Sequence, residues 1–245
     1  MSYGGFDKYV SAAEKREKAN KSLIKLRKKN PDIEPIIIEG RTLAKSWWGK
    51  AWNLNLESYA DYENRIGRGK SYVRTNMVLD LKITKGIVTA KVQGSRAKPY
   101  DVEILIDPLS DEKWKQVISL CNNRIDSLEQ LLEGKFPEEL EVLFKDKKYG
   151  LFPSPKEIRF DCSCPDWASM CKHVAAALYG IGARFDTNPM LFFELRSIDS
   201  KELIKKSVEQ KLDSMLKNAG KKSKREIAEK DVQDIFGLQC NKIQL

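Results

Sequence analysis

The sequence predicts an α+β fold in which an antiparallel β-meander packs against helices. Two observations predict it. Three successive stretches alternate apolar and polar residues at period two and are joined by short turns. Longer stretches on either side place apolar residues three and four apart, which is the helical period. A third observation, a knot of cysteines around the one histidine, marks where a compact site should form.

Residues 8–30 hold nine Lys or Arg against two acids, Glu14 and Glu17. Alanine, lysine and leucine favour a helix, but apolar residues are sparse, so packing should hold it weakly. The stretch reads either as a helix that forms on a phosphate backbone or as a solvated basic tail. Pro31 and Pro35 end it, and Ile36, Ile37 and Ile38 read as a short strand. A helix is expected over 44–59, with Trp48 and Trp52 on one face and Trp47, Ala51 and Leu54 on its neighbour. Tryptophans can stack on bases, but large aromatics more commonly build a core, and the core is the expectation here.

Residues 65–74, RIGRGKSYVR, group Arg65, Arg68, Lys70 and Arg74 around Gly67 and Gly69. Glycines permit close backbone approach, so the segment is expected to be a loop. It is either a phosphate contact or an exposed basic turn. The Gly69-Lys70-Ser71 triplet does not complete a nucleotide-binding P-loop, because position 64 is Asn64 rather than glycine. The meander follows. Its strands carry Met77, Leu79, Leu81 and Ile83, then Val88, Ala90 and Val92, then Val102, Ile104 and Ile106. The connection before the third strand adds Arg96 and Lys98. These converge with residues 65–74 if the sheet ends meet that segment.

A helix is expected over 111–132, with Trp114, Val117 and Ile118 near one face, and a second over 137–144. Ile158 and Phe160 lead a strand into Cys162. A helix follows the cysteine cluster, and Pro189 opens another. Leu203–Leu216 reads as a helix. Ser223 and Glu226 fit a capping box that opens a last one, with an apolar face from Ile227 to Leu238.

The cluster itself reads DCSCPDWASMCKH. Cys162 and Cys164 are separated by one residue, as are Cys171 and His173, the sole histidine. Three thiols and one imidazole form the ligand set of a closed tetrahedral zinc site, and four protein ligands leave no position open for chemistry. One structural Zn2+ is therefore expected. A disulfide reading is weak: five cysteines is an odd number, and the N-terminal residues lack a signal peptide's apolar core. A redox motif would have two residues between its cysteines. A catalytic Cys171–His173 pair is disfavoured, because residues two apart on a helix point to different sides. Cys121 and Cys240 read as ordinary thiols.

This stretch resembles the SWIM zinc finger, whose signature is Cys-x-Cys, a variable gap, then Cys-x-His. Pro165-Asp166-Trp167 and Lys172 look like those of prokaryotic members. GRTLAKSWWGKAW, Gly40 to Trp52, and VQGSRAKPY, Val92 to Tyr100, resemble a group of uncharacterised prokaryotic SWIM-finger proteins. The wider likeness covers roughly residues 40–200. That wider likeness says little about activity; it is the finger resemblance that implies binding to DNA or protein, often beside Swi/Snf-type helicase-like ATPases.

The net charge of +9 favours a polyanionic partner. No apolar run approaches the ~18 residues of a membrane span, so a cytoplasmic chain in a reducing compartment is expected. With its histidine assigned to metal and its paired carboxylates (Asp111-Glu112, Glu138-Glu139) placed on solvated helices, the chain is not expected to be an enzyme. The reading is a basic segment (1–35), an α+β domain (36–150), a strand-turn-helix zinc finger region (151–198) and C-terminal helices (199–245). Its expected function is nucleic-acid binding, to DNA and largely without sequence preference. Candidate contacts are Arg65, Arg68, Lys70, Arg74, Arg96, Lys98, Arg159 and Lys172. The alternative is a protein-interaction module that recruits or regulates a helicase-like ATPase.

Overall fold

Period-two alternation becomes a four-stranded antiparallel sheet in the computed structural model of the chain. The structure describes residues 10–58, 63–122, 141, 144, 150–166, 168 and 170–199, with single positions between 205 and 217. The strands are β1 (Val78–Thr84), β2 (Ile87–Val92), β3 (Tyr100–Ile106) and β4 (Ile158–Cys162), in the spatial order β1-β2-β3-β4. The register pairs Leu81 with Ala90, Val88 with Ile104 and Val102 with Cys162. One face therefore collects Leu81, Ile83, Val88, Ala90, Val92, Val102, Ile104 and Ile158, all buried. β4 carries the first cysteine of the cluster, so the segments on either side of residue 150 share one sheet.

The helices are α1 (Ala12–Lys29), α2 (Trp47–Glu57), α3 (Glu63–Arg74), α4 (Asp111–Asn122), α5 (Lys172–Thr187) and α6 (Leu191–Leu195). α5 is the centre of the fold. Every residue from His173 to Gly182 is buried, as expected of a helix that is apolar on all sides. One side lies on the sheet, where a Cβ at Gly180 would come within 2.7 Å of Leu81. α2 and α3 pack on its other sides. Both crossings depend on small residues. A Cβ at Gly49 of α2 would lie 2.8 Å from the Gly182 carbonyl, and one at Gly69 of α3 would lie 2.6 Å from the Ala175 methyl.

The tryptophans belong to the core, as expected. Trp52 is fully buried and donates its indole N–H to the Leu178 carbonyl at 2.9 Å; Trp48 donates to Phe185 at 3.1 Å. Ser46 caps α2, and the Asp186 carboxylate accepts from the backbone of Lys45 and Ser46 and from the Ser46 hydroxyl. Leu54, in contrast, is 57% exposed. α6 buries Phe192, Phe193 and Leu195 against the same core.

Three expectations change. Residues 65–74 are not a loop but most of α3. Ile66, Gly69 and Val73 are buried at helical spacing, and Gly69 serves the α5 crossing rather than a turn. Ile36–Ile38 forms no strand. It runs extended beside β1, with Ile36 donating to Val78 and Leu81 donating to Glu34. The N-terminal helix is docked rather than loosely held. Ser11 and Glu14 form a capping box at its start. Ala19 packs on Met77 and Leu79, and Lys18 and Arg16 donate to the carbonyls of Ser95 and Arg74.

Segments 1–35, 36–150 and 151–198 all fall within one compact unit, Met1–Ile204. A second unit is Lys205–Leu245, in which the described positions 205, 209, 212, 213 and 215–217 are helical, in line with the helix expected over Leu203–Leu216. In α4, Trp114 packs against the core, and Glu141 and Phe144 are helical, within the second helix expected there. The remainder of those helices, Cys240 and the expected Ser223–Glu226 cap lie outside the described residues.

The two glycines of α3 give opposite predictions. Gly67 has open space around its missing side chain. Gly67→Ala should stabilise the protein by up to about 1 kcal/mol through helix propensity. Gly69→Ala drives a methyl into Ala175 and should destabilise it by about 1–3 kcal/mol. Chemical denaturation of the two variants checks the pair, and equal shifts would contradict the α3–α5 contact.

Candidate metal centre

The end of β4, the turn after it and the start of α5 bring Cys162, Cys164, Cys171 and His173 together. Their ligating atoms all lie within 4.8 Å of one another. Nδ1 of His173 is 3.7 Å from the Cys171 sulfur and 3.9 Å from the Cys162 sulfur. A tetrahedron with metal–sulfur distances of about 2.3 Å and metal–nitrogen distances of about 2.0 Å has edges of roughly 3.5–3.8 Å. The four donors therefore fit one ion. All three cysteines are free thiols, with Cys171 buried and the other two half-buried.

Local sequence sets this geometry. Pro165 follows Cys164 and cannot continue the strand. Cys171 is not inside α5 but is its N-cap, with an extended backbone (φ −85°, ψ 170°) and a sulfur that accepts from the Val174 N–H. This corrects the expectation that Cys171 and His173 face apart. A cap residue swings its side chain over the first turn, so the thiol and the imidazole meet.

The thiols share their protons unequally. Cys171 is lowered to about 3, chiefly by a hydrogen bond from Cys162, with the His173 contact and the Val174 N–H adding to it and outweighing burial. Cys162 is raised, first because its proton is held in that bond and then by burial. Burial also raises Cys164. Cys171 is thus the sulfur of the three most favoured to become a thiolate, the form that ligates metal.

His173 sits in an aromatic housing. The Tyr100 ring lies against it at 4.4 Å, tilted by 32°, and Tyr72 meets it edge-on at 5.5 Å. The backbone of Gly94 closes the third side. A Cβ there would clash with Tyr100 and lie 2.8 Å from His173 Nε2. Tyr72 comes from α3 and Tyr100 from β3, so the sheet end does meet the 65–74 segment.

The eight candidate basic residues separate into two groups. Arg65 makes a two-pronged contact with Asp166, at 2.9 and 3.2 Å, tying α3 to the turn between the ligands. Lys70 pairs with Glu57 at 2.9 Å, and Arg159 with Asp107 at 2.7 Å. The Arg74 Nε–H donates to the Arg41 carbonyl. In contrast, Arg96 lies 5.7 Å over the Tyr100 ring and Lys172 lies 6.0 Å over Tyr72. Arg68 acts electrostatically on Tyr72, and Lys98 is exposed in the loop that carries Arg96. Among the described residues these last four have no ion pair.

Sequence reasoning missed the housing of Tyr72, Gly94 and Tyr100. The VQGSRAKPY segment held the signal, with a glycine and a tyrosine flanking a basic turn. It also missed Asp166 as a partner for Arg65, and the capping box Ser11–Glu14 that was present as S-x-x-E.

No known protein-family profile matches the chain, and no solved structure matches it. It is 36% identical over 163 residues to an uncharacterized protein of Mycobacterium tuberculosis, Rv2102, an alignment that covers 66% of this chain and 58% of that protein. The chain thus spans less than two thirds of that relative's length. Among the described residues no helix is long and apolar enough to cross a membrane.

Replacing Cys171 with serine should abolish stoichiometric metal binding, read by elemental analysis, and lower thermal stability. Metal at a hundred times its Kd contributes about 2.7 kcal/mol, so chelation of the wild-type protein should lower stability by a comparable amount. A Cys171→Ser protein with full metal content and unchanged melting would overturn the assignment.

Proposed function

We propose that this protein is a SWIM-type, zinc-binding adaptor that contacts the phosphate backbone of nucleic acid, most directly DNA. One observation carries the reading. Arg96 and Lys172 lie over the two rings that enclose His173, and among the described residues neither has an ion pair. The metal ligand set is Cys162, Cys164, Cys171 and His173, and three thiols with one imidazole suit a single structural zinc ion.

A bound zinc ion would hold β4 to α5, and with them the basic rim. The chain's own residues do the rest. Arg68, Arg96, Lys98 and Lys172 present charge to phosphates. Arg65, Lys70 and Arg159 are held by carboxylates and are assigned structural roles, while Arg74 anchors to backbone. Contacts of this kind recognise backbone rather than base edges, so binding is largely independent of sequence. We assign no catalytic step to the chain, and place it in the cytoplasm beside a Swi/Snf-type helicase-like ATPase.

A second reading is favoured by Leu212, Met215 and Leu216, which are 57–65% exposed on the helical positions of the second unit. They would suit a protein-interaction module that engages such an ATPase without touching DNA.

A titration of labelled duplex DNA with zinc-loaded protein across a salt series tests the choice. Affinity should fall steeply with salt, by a log–log slope of about 0.9 per phosphate contact. Arg96→Ala with Lys172→Ala should weaken binding and reduce that slope by about two contacts. Arg159→Ala should leave it unchanged. Absence of binding at low salt would transfer the assignment to the protein-interaction module.

A further inference from the structure

A metal-bound imidazole uses one ring nitrogen for the ion and needs an acceptor for the N–H on the other. His173 turns Nδ1 to the thiols, which leaves Nε2 to carry the proton. His173 is 3% exposed, and its Nε2 is buried without a hydrogen-bond partner among the described residues. An N–H left that way pays its desolvation without a bond in return.

A matching orphan belongs to the residue before Gly94, whose backbone closes on the His173 ring. Gln93 follows β2 and is fully buried. Its side-chain nitrogen donates to the carbonyls of Gly94 at 3.1 Å and Arg96 at 2.7 Å. Those two bonds use both amide hydrogens and so fix which end of the amide is oxygen. That oxygen, Oε1, is buried and likewise without a partner among the described residues. Gly94, the residue after Gln93, is the one whose Cβ would fall 2.8 Å from Nε2. The Gln93 N–H donates to Met77 at 2.7 Å, so the backbone here is held as well.

We infer that Gln93 is a positioning residue for the metal centre: its Oε1 accepts the His173 Nε2–H across one bridging water. This holds the ring in the tautomer that offers Nδ1 to the metal. The same side chain holds the Arg96 carbonyl. Gln93 is therefore a strut between the metal centre and the basic loop, and metal loading should order that loop. The inference rests on metal binding by the Cys3His set and is independent of what the basic loop contacts.

His173 is the sole histidine of the chain, so its imidazole gives one set of NMR signals. In zinc-loaded wild-type protein we expect nitrogen shifts of an Nδ1-bound ring and a slowly exchanging Nε2–H. In Gln93→Met, which keeps the volume and removes the acceptor, that proton should exchange rapidly. Zinc affinity, measured by competition with a chelator, should fall about 10–100-fold. A folded Gln93→Met protein with wild-type affinity and a protected Nε2–H would overturn the inference. If that variant does not fold, the wild-type spectrum decides. Ligation through Nε2, or a freely exchanging Nε2–H, overturns the strut and leaves the metal site standing. Wild-type protein that binds no zinc overturns both.

Discussion

Everything in this fold is arranged around one buried helix. α5 has no solvent face over most of its length, so the sheet, α2 and α3 must all approach it. Such a helix gains nothing from amphipathicity, and its register must be set by shape. Three close contacts set it: Gly180 on Leu81, Gly182 on Gly49 and Ala175 on Gly69. Each brings another element to the helix at a distance no larger side chain would permit. Polar anchors fix the remaining freedom, with Trp52 and Trp48 donating into carbonyls of α5 and Asp186 holding the start of α2.

Two of the four cluster residues sit at the start of α5, Cys171 as its cap and His173 in its first turn. A helix start leaves unsatisfied N–H groups, and here a cysteine sulfur takes the cap position that serine or aspartate commonly fills. The same sulfur is a member of the cluster. The sulfur that caps the helix is thus one of the four donors that could hold a metal ion, and its lowered pKa suits both roles, since a negative group is favoured at a helix N-terminus. Local proton sharing among the thiols has the same direction, with Cys171 lowered at the expense of Cys162.

The four strands of the sheet, the core tryptophans of α2, the strand-turn-helix around the cysteines and the Cys3His cluster are legible in the sequence, because each rests on a local period or a short spacing. What was not legible depends on partners distant in sequence. Glycine at 67 and 69 resembles loop punctuation, and only the position of Ala175 shows that Gly69 is a helix contact. A basic side chain looks alike whether or not a carboxylate faces it. Arg65 and Arg96 were equal candidates until Asp166 was found beside the first and Tyr100 beneath the second. The Cys171–His173 approach is hidden for a different reason: the opposed directions of residues two apart hold inside a helix, and Cys171 caps α5 from outside it.

This sorting of charges bears on what the surface is for. Cations held by carboxylates contribute little to attraction of a polyanion, because each pair is close to neutral at a Debye length of about 8 Å. Arg65, Lys70 and Arg159 are such cations, and they stabilise the approach of α3 to the cysteine turn, of α3 to α2 and of β4 to the end of β3. Arg96 and Lys172 rest instead on aromatic rings, which orient a cation without neutralising it. The rings in turn pack on His173. Among the described residues these two cations have no ion pair, and they are linked through the rings to the Cys3His cluster. The α1 helix adds to the same rim, since Lys18 reaches the loop of Arg96 through Ser95.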